Sequence, residues 1–122
     1  MKPGYTGLKR LSFATGYSIK GLIAAWQHEA AIRQETLLLT IGSVIAILLP
    51  VSQTERVILI GSLIILLITE LLNSAIEAVV DRIGPEHHEL SGRAKDIGSA
   101  AVFVCLLGTA CLWITLLLPL VL

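Results

Sequence analysis

Apolar side chains fill three long stretches of the chain, and polar residues gather between them. Residues 36–49 are apolar and end at Pro50, residues 57–69 carry no charge, and residues 97–122 carry none either. A helix needs about 20 apolar residues to cross the hydrocarbon core of a bilayer. With Arg33 and Glu35 near the headgroups, the first stretch extends back to Ala30. The pattern therefore predicts transmembrane helices at about residues 30–49, 56–83 and 97–121.

Polar segments separate these predicted helices. Residues 50–55 form a short turn, and residues 84–95 form a polar connector that opens with Gly84 and Pro85, a pair that stops a helix. The N-terminal segment, at about residues 5–29, is amphipathic; its apolar residues are Leu8, Leu11, Tyr17, Ile19, Leu22, Ile23 and Trp26. Such a helix lies along a membrane surface, although a simple positively charged topology signal explains its basic residues equally well.

The composition agrees with an all-α membrane protein made of one domain, residues 1–122. Hydrophobic residues make up 55% of the chain, which exceeds the roughly 45–50% of ordinary soluble domains. Nine basic residues balance nine acidic ones, so the net charge gives no reason to expect a nucleic-acid partner. Lys and Arg concentrate in the N-terminal segment and in the connector, which predicts that both face the cytoplasm and that the C-terminus lies on the other side of the membrane.

Polar residues run along one face of the second predicted transmembrane helix, beginning where its uncharged stretch ends. They are Glu70, Asn73, Glu77 and Asp81, called the acidic stripe below. Each residue of an α-helix turns by about 100°, which puts these four on a face roughly 80° wide. A carboxylate in hydrocarbon costs on the order of 2.5–3.5 kcal/mol. An acidic stripe at this depth therefore needs a counter-charge or water.

The chemistry of the stripe indicates a divalent cation bound by oxygen ligands. Carboxylates and an amide suit Mg²⁺ or Ca²⁺ better than Zn²⁺, and Mg²⁺ usually takes one or two carboxylates, with water and phosphate oxygens completing its shell. Polar contacts between helices are the structural alternative. The stripe runs from the middle of its helix to the cytoplasmic end, and this graded position favours a functional site.

Other polar residues are predicted near the same membrane face. Glu29 precedes the first transmembrane helix and either adds a carboxylate to the site or pairs with Arg33 one turn later. In the connector, Arg93 and Lys95 are suited to meet phosphates, while the two adjacent histidines lack a second pair at metal-ligand spacing. Standard nucleotide-binding signatures are absent from the sequence.

Three segments together resemble the bacterial integral-membrane diacylglycerol kinases. They read GYS-KG--AAW--EAA-RQE at residues 16–35, where dashes mark positions outside the resemblance, ELLNSAIEAVVDRIG at residues 70–84 and HELSGRAKDIGSAAV at residues 88–102. The resemblance extends from Arg10 to the third predicted helix, whose end matches only as hydrophobic sequence. It implies a homotrimeric bundle in the bacterial inner membrane, with a surface helix and three transmembrane helices in each subunit. It also implies phosphorylation of diacylglycerol by MgATP to give phosphatidic acid.

The same resemblance implies roles for individual residues. Glu70 would be the general base on the lipid hydroxyl and Asn73 would orient it, while Glu29 and Glu77 would hold the Mg²⁺ that bridges the ATP phosphates. Residues implied around the nucleotide, besides these metal ligands, are Arg10, Tyr17, Glu86, His87, His88, Lys95 and Asp96. Residues implied to touch the lipid substrate are Arg10, Arg56, Glu70 and Ser99.

Some positions depart from the family pattern, and two other functions also fit the sequence. The departures concern lipid packing and nucleotide contact and leave the implied base and metal ligands intact; they are Ile19, Ile23, His28 and His87. One alternative is an undecaprenol kinase with the same chemistry on a polyprenyl alcohol. The other is a small oligomeric cation or proton transporter that uses the stripe as its path. A purely structural membrane protein would leave the stripe without a role.

Overall fold

The computed structural model describes residues 4–84 and 88–122. In these ranges the chain forms helices α1 at Gly7–His28, α2 at Ala30–Leu48, α3 at Gln53–Ile83 and α4 at Glu89–Leu117, with a 3-10 turn at Leu118–Leu120. Three helices are each long and apolar enough to cross a membrane: α2, α3, and α4 taken together with its 3-10 turn. This confirms the all-α class and the prediction of three helices with the length and composition of membrane spans.

Two helices begin earlier than the hydrophobic pattern predicts, because polar residues cap them. α3 begins at Gln53 rather than at residue 56, since Ser52 and Glu55 form a capping box. Ser52 Oγ accepts from the Glu55 N–H at 3.1 Å, and Glu55 Oε1 accepts from the Ser52 N–H at 2.9 Å. α4 begins at Glu89 rather than at residue 97, and His88 Nδ1 accepts from the N–H of Leu90 at 3.1 Å. The connector is shorter than predicted.

A single non-helical residue, Glu29, separates α1 from α2. Its backbone is extended (φ −122°, ψ 110°), while its N–H donates to the carbonyl of Ala25 at 2.9 Å. The last carbonyls of a helix lack partners within the helix. Here the guanidinium of Arg33 donates to the carbonyls of Trp26 at 2.6 Å and of Gln27 at 3.5 Å. Arg33 thus caps α1, and among the described residues it makes no ion pair with Glu29.

A tight turn reverses the chain between α2 and α3, and Arg56 holds that turn in place. The guanidinium donates to carbonyls at and just beyond the end of α2, those of Ala46 at 2.8 Å, Leu49 at 3.2 Å and Val51 at 3.2 Å. The Ala46 carbonyl is one that the last turn of an α-helix leaves without a partner in the helix, and the other two belong to the turn that follows. Arg56 therefore stabilises the antiparallel arrangement of α2 and α3.

α3 lies between α2 and α4 and carries most of the buried residues. The buried positions recur every three or four residues, which is the spacing of one helix face; they are Leu59, Ser62, Leu63, Leu66, Glu70, Asn73 and Ser74. Gly42 of α2 allows close packing there, since a Cβ at this position would overlap Leu63 and lie 3.4 Å from Trp113. The outer faces of the three long helices are rich in exposed aliphatic side chains, as expected of helices that face lipid.

α1 rests beside the bundle without entering its core. Within the described part of the chain, α1 has no buried residue. Its large apolar side chains stay exposed, among them Leu8, Leu11, Ile19, Leu22, Ile23 and Trp26. The helix itself is observed, and its position on a membrane surface stays a prediction.

Candidate active site

The acidic stripe of α3 passes from the interior of the bundle to its surface. Glu70 and Asn73 are buried, with 7% and 9% of their surfaces exposed. Glu77 is half-buried, and Asp81 near the end of α3 is exposed. Glu70 is therefore the deepest acid of the stripe, and each turn toward the end of α3 brings the stripe closer to water.

Asn73 connects Glu70 to the neighbouring helix α4. Its Nδ2 donates to Glu70 Oε2 at 3.5 Å, which is long for a hydrogen bond. Its Oδ1 is buried and has no donor among the described residues. Gly98 of α4 lies against that oxygen, because a Cβ at residue 98 would overlap Oδ1 and lie 3.4 Å from Cγ of Asn73. The glycine leaves room for the Asn73 amide to stay in this orientation.

Glu35 of α2 belongs to the site as well, a role that the sequence alone did not predict, while its position near the headgroups stays a prediction. Its carboxyl group lies within hydrogen-bonding reach of the Glu70 carboxyl group. Its Oε1 is buried and has no donor in the part of the chain that the structure describes. The spacing of Glu35 indicates that it shares a helix face with core residues. It lies three residues after Ile32 and seven before Gly42, and both of these residues are buried.

An open cleft of about 590 Å³ lies between α1 and α3. Glu29 and Ser74 line it, and the other lining side chains are mostly small or apolar. The Oγ of Ser74 is buried without a partner among the described residues. Sites for small ligands commonly have volumes of about 300–1,000 Å³. The cleft thus brings Glu29, a predicted metal ligand, near Ser74, which is the neighbour of Asn73 in the acidic stripe.

Glu29 and Glu77, the two predicted metal ligands, are both half-buried. Neither forms an ion pair with Lys or Arg in the described ranges, so no side-chain cation competes for their oxygens there. The described residues bring no three metal-ligating side chains together. Two carboxylates completed by water and phosphate oxygens are a set that Mg²⁺ commonly takes, so the donor chemistry of the two residues fits this ion. Glu29 lines the cleft and Glu77 is not among its lining residues, so their joint binding of one ion stays a prediction.

Lys95 of α4 lies against the exposed end of the stripe. Its Nζ is 3.1 Å from Oδ1 of Asp81, with 41% of the lysine side chain and 67% of the aspartate side chain exposed. Exposed ion pairs stabilise a fold by only about 0–1 kcal/mol. The ammonium group of Lys95 is thus held beside the stripe by an ion pair with Asp81. Replacing Asp81 by another anion costs little free energy.

The other predicted site residues are not gathered around Glu70 by the described contacts. Arg56 lies fourteen residues earlier on α3, about 21 Å along the helix axis, and its guanidinium caps α2. His88 caps α4. Exposed on α1 and α4 are Arg10, Tyr17, Asp96 and Ser99. Glu86 and His87 lie outside the described residues. The nucleotide and lipid roles of all these residues stay predictions.

Comparison with known proteins identifies the family. The sequence model of the family described as prokaryotic diacylglycerol kinase matches residues 16–117. The diacylglycerol kinase of Escherichia coli is 55% identical over 112 residues, 92% of this chain and 92% of the relative. That of Pseudomonas aeruginosa is 53% identical over 115 residues, 94% of each chain. That of Helicobacter pylori is 39% identical over 111 residues, 91% of this chain and 87% of the relative. The resemblance carried by the sequence motifs is thereby confirmed, and the chain belongs to the prokaryotic diacylglycerol kinase family of enzymes.

Proposed function

We propose that this chain transfers the γ-phosphoryl group of MgATP to the hydroxyl of diacylglycerol, giving phosphatidic acid. The names of its relatives support diacylglycerol as the substrate. The observation that carries the mechanism is the burial of Glu70 with a hydrogen bond from Asn73, at the point where the uncharged stretch of α3 ends.

Glu70 is the general base in the proposed reaction. The hydroxyl oxygen of the lipid forms a bond to the γ-phosphorus, and the bond from that phosphorus to the bridging oxygen of ATP breaks. ADP leaves with the electron pair of that bond, and the hydroxyl proton moves to the Glu70 carboxylate. Phosphoryl transfer depends mainly on positioning and charge neutralisation, and a base must lie within hydrogen-bonding reach of its proton. Asn73 serves this requirement by orienting the Glu70 carboxylate.

Glu29 and Glu77 are proposed to hold Mg²⁺. When bound, the ion neutralises charge on the ATP phosphates. The two acids are less deeply buried than Glu70, which supports a division of the stripe into a lipid end and a nucleotide end. A soluble nucleotide reaches half-buried groups from water, while a lipid hydroxyl reaches a buried one from the bilayer.

Lys95 is proposed to leave Asp81 for a phosphate oxygen when the nucleotide binds. Its exposed ion pair supports this exchange because the pair costs little to break. Other residues proposed around the nucleotide are Arg10, Tyr17, Glu86, His87, His88 and Asp96. Residues proposed at the lipid, besides Glu70, are Arg10, Arg56 and Ser99.

The proposed setting is the bacterial inner membrane, with a homotrimer as the working form. The unburied apolar side chains of α1 support a helix that lies against lipid or a second subunit. The distribution of Lys and Arg supports a cytoplasmic N-terminus and connector and a periplasmic C-terminus. ATP is then available on the side where the stripe becomes exposed.

Phosphate transfer from labelled ATP tests the proposal directly. The purified protein in mixed micelles is offered diacylglycerol and undecaprenol side by side, with and without Mg²⁺. Magnesium-dependent label on diacylglycerol is the expected result. A preference for undecaprenol would keep the mechanism and change the substrate. No label on either lipid, from folded and oligomeric protein, would overturn the kinase proposal and make cation flux into sealed vesicles the next measurement.

A further inference from the structure

Glu35 occupies a position of α2 that faces α3. The residues of α2 that line this seam recur at intervals of three and four, which is the spacing of a packed helix face. Ile32, Gly42 and Ala46 are buried there, and Glu35 and Leu39 are half-buried. An acid at a seam position is expensive in a membrane unless another group compensates its charge.

The register of α2 against α3 brings Glu35 opposite Glu70. Gly42 lies against Leu63, and the two helices run antiparallel. Glu35 lies seven residues before Gly42 on α2. Glu70 lies seven residues after Leu63 on α3. Both intervals cover about 10.5 Å in the same direction. The two carboxyl groups accordingly lie within hydrogen-bonding reach of each other.

No side-chain cation compensates this pair of acids in the described ranges. The ion pairs there join Arg93 to Glu89 and Lys95 to Asp81. Arg33, two residues before Glu35, directs its guanidinium to backbone carbonyls of α1. Besides Glu70, the stripe adds only two further acids and the neutral amide of Asn73, and α4 contributes the uncharged Gly98 at the level of Asn73. Two touching carboxylates without a cation repel each other, and holding one proton between them removes that repulsion.

The hydrogen bonds around the pair indicate which acid holds the proton. Asn73 donates to Oε2 of Glu70, and a donated hydrogen bond favours the ionised form of a carboxyl group. Glu35 receives no such bond on its buried Oε1 within the described residues. Because only Glu70 receives such a bond, the proton resides on Glu35. The O–H group of Glu35 is then the donor for a second hydrogen bond to Glu70, beside the one from Asn73.

We propose that Glu35 is a positioning residue that holds a proton and donates it in a hydrogen bond to Glu70. This bond and the one from Asn73 fix the orientation of the Glu70 carboxylate from two helices and leave it a free lone pair for the lipid hydroxyl. The inference rests on the proposed function of Glu70 as the general base. It assigns Glu35 no contact with substrate or metal.

Two substitutions at Glu35 distinguish a role as a hydrogen-bond donor from a role as a negative charge. Glu35→Gln keeps the shape and always donates, so kcat in mixed micelles should fall by less than about fivefold. Glu35→Met keeps the length and cannot donate, so kcat should fall roughly 10- to 100-fold, the loss expected for a hydrogen bond to a charged group. The KM for MgATP should stay unchanged in both variants. Gln34→Met, at an exposed position on the same helix, is the matched control and should retain full turnover.

Opposite results would overturn this role for Glu35. A Glu35→Gln variant as inactive as Glu70→Gln would show that Glu35 acts as a charge, and a fully active Glu35→Met variant would show that it has no role. If Glu35→Met does not fold, infrared spectroscopy decides the question. The wild-type protein at neutral pH should show the C=O stretch of a protonated carboxyl group that Glu35→Gln lacks, and its absence from the wild type would overturn the proposal. Near-normal turnover of Glu70→Gln would instead overturn the base assignment, while the infrared band reports the hydrogen bond independently.

Discussion

Ser62 and Asn73 are both buried on α3, one in the first half of the helix and the other in the second. Ser62 Oγ accepts from Trp113 Nε1 at 3.1 Å and donates to the carbonyl of Leu59 at 2.7 Å, and the Ser62 carbonyl accepts from Thr109 Oγ1 at 3.5 Å. In contrast, Asn73 Oδ1 and the Oγ of the adjacent Ser74 have no partner among the described residues, and neither does Oε1 of Glu35 beside them. The same helix thus buries polar groups with partners in one half and without partners in the other.

The proposed function explains the difference, because it assigns the first half of α3 to stability and the second half to chemistry. A buried polar group without a hydrogen bond costs about 1–3 kcal/mol, so a fold optimised only for stability would pair or replace such groups. The buried polar groups at Ser62 are paired in this way, and their hydrogen bonds join α3 to α4. The cluster at Glu70 breaks this rule, and the groups of Asn73 and Ser74 left without protein partners are available to a substrate, a metal or water.

Glu70→Gln should give the largest effect on turnover. The amide cannot accept a proton from the lipid hydroxyl, so kcat should fall roughly 100- to 10,000-fold, the usual contribution of a general base. The KM for MgATP should change little because the base acts on the other substrate. Steady-state kinetics in mixed micelles checks both values, and turnover close to that of the wild type would contradict the assignment.

Glu77→Gln should weaken the dependence of the enzyme on Mg²⁺ as well as lower its turnover. Loss of one proposed carboxylate ligand should raise the Mg²⁺ concentration for half-maximal activity by about 10- to 100-fold, by analogy with substitutions around other metal sites. Titration of activity with Mg²⁺ at fixed ATP measures this shift. Glu55→Gln is the control, since glutamine also completes a capping box. An unchanged Mg²⁺ titration for Glu77→Gln would indicate a packing role.

Gly98→Ala should lower kcat by about tenfold, because the added Cβ would overlap Oδ1 of Asn73 and turn its amide away from Glu70. Gly108→Ala on the same helix is the control, since a Cβ there meets nothing within 4 Å in this chain. Comparison of kcat for the two variants checks the prediction. Equal activity of both would mean that the position of the Asn73 amide does not matter for catalysis.

Ser62→Ala should leave kcat unchanged and lower stability by a modest amount. The substitution removes the acceptor of the Trp113 N–H, and hydrogen bonds between membrane helices contribute about 0.6–1.7 kcal/mol. Equilibrium unfolding in detergent measures the loss. A large fall in kcat at unchanged stability would place catalytic function in the first half of α3, to which we assign a structural role.

The helices and the acidic stripe follow from local rules, which is why the sequence predicts them. An uncharged stretch such as residues 57–69 has the composition of a span, and four polar residues at helical spacing share a face whatever surrounds them. The start of α3 was also readable, since Ser52 and Glu55 have the spacing of a capping box. Hydropathy alone ignores that signal and begins the helix too late.

Contacts between helices were not accessible from local rules. Glu35 joins Glu70 only because of the register between α2 and α3, and Gly98 admits Asn73 only because α4 approaches that turn of α3. Arg33 illustrates the same limit. A pair with Glu29 satisfies helical spacing, but the carbonyls at the end of α1 provide the guanidinium with acceptors.

A single paired measurement tests the central claim, that the two halves of α3 serve different purposes. Turnover and free energy of unfolding are determined for Glu70→Gln and Ser62→Ala in the same detergent. We expect opposite patterns: Glu70→Gln inactive and at least as stable as the wild type, since it replaces a buried carboxylate, which is costly in hydrocarbon, with a neutral amide, and Ser62→Ala active and less stable. An active Glu70→Gln variant, or an inactive Ser62→Ala variant of normal stability, would contradict the claim.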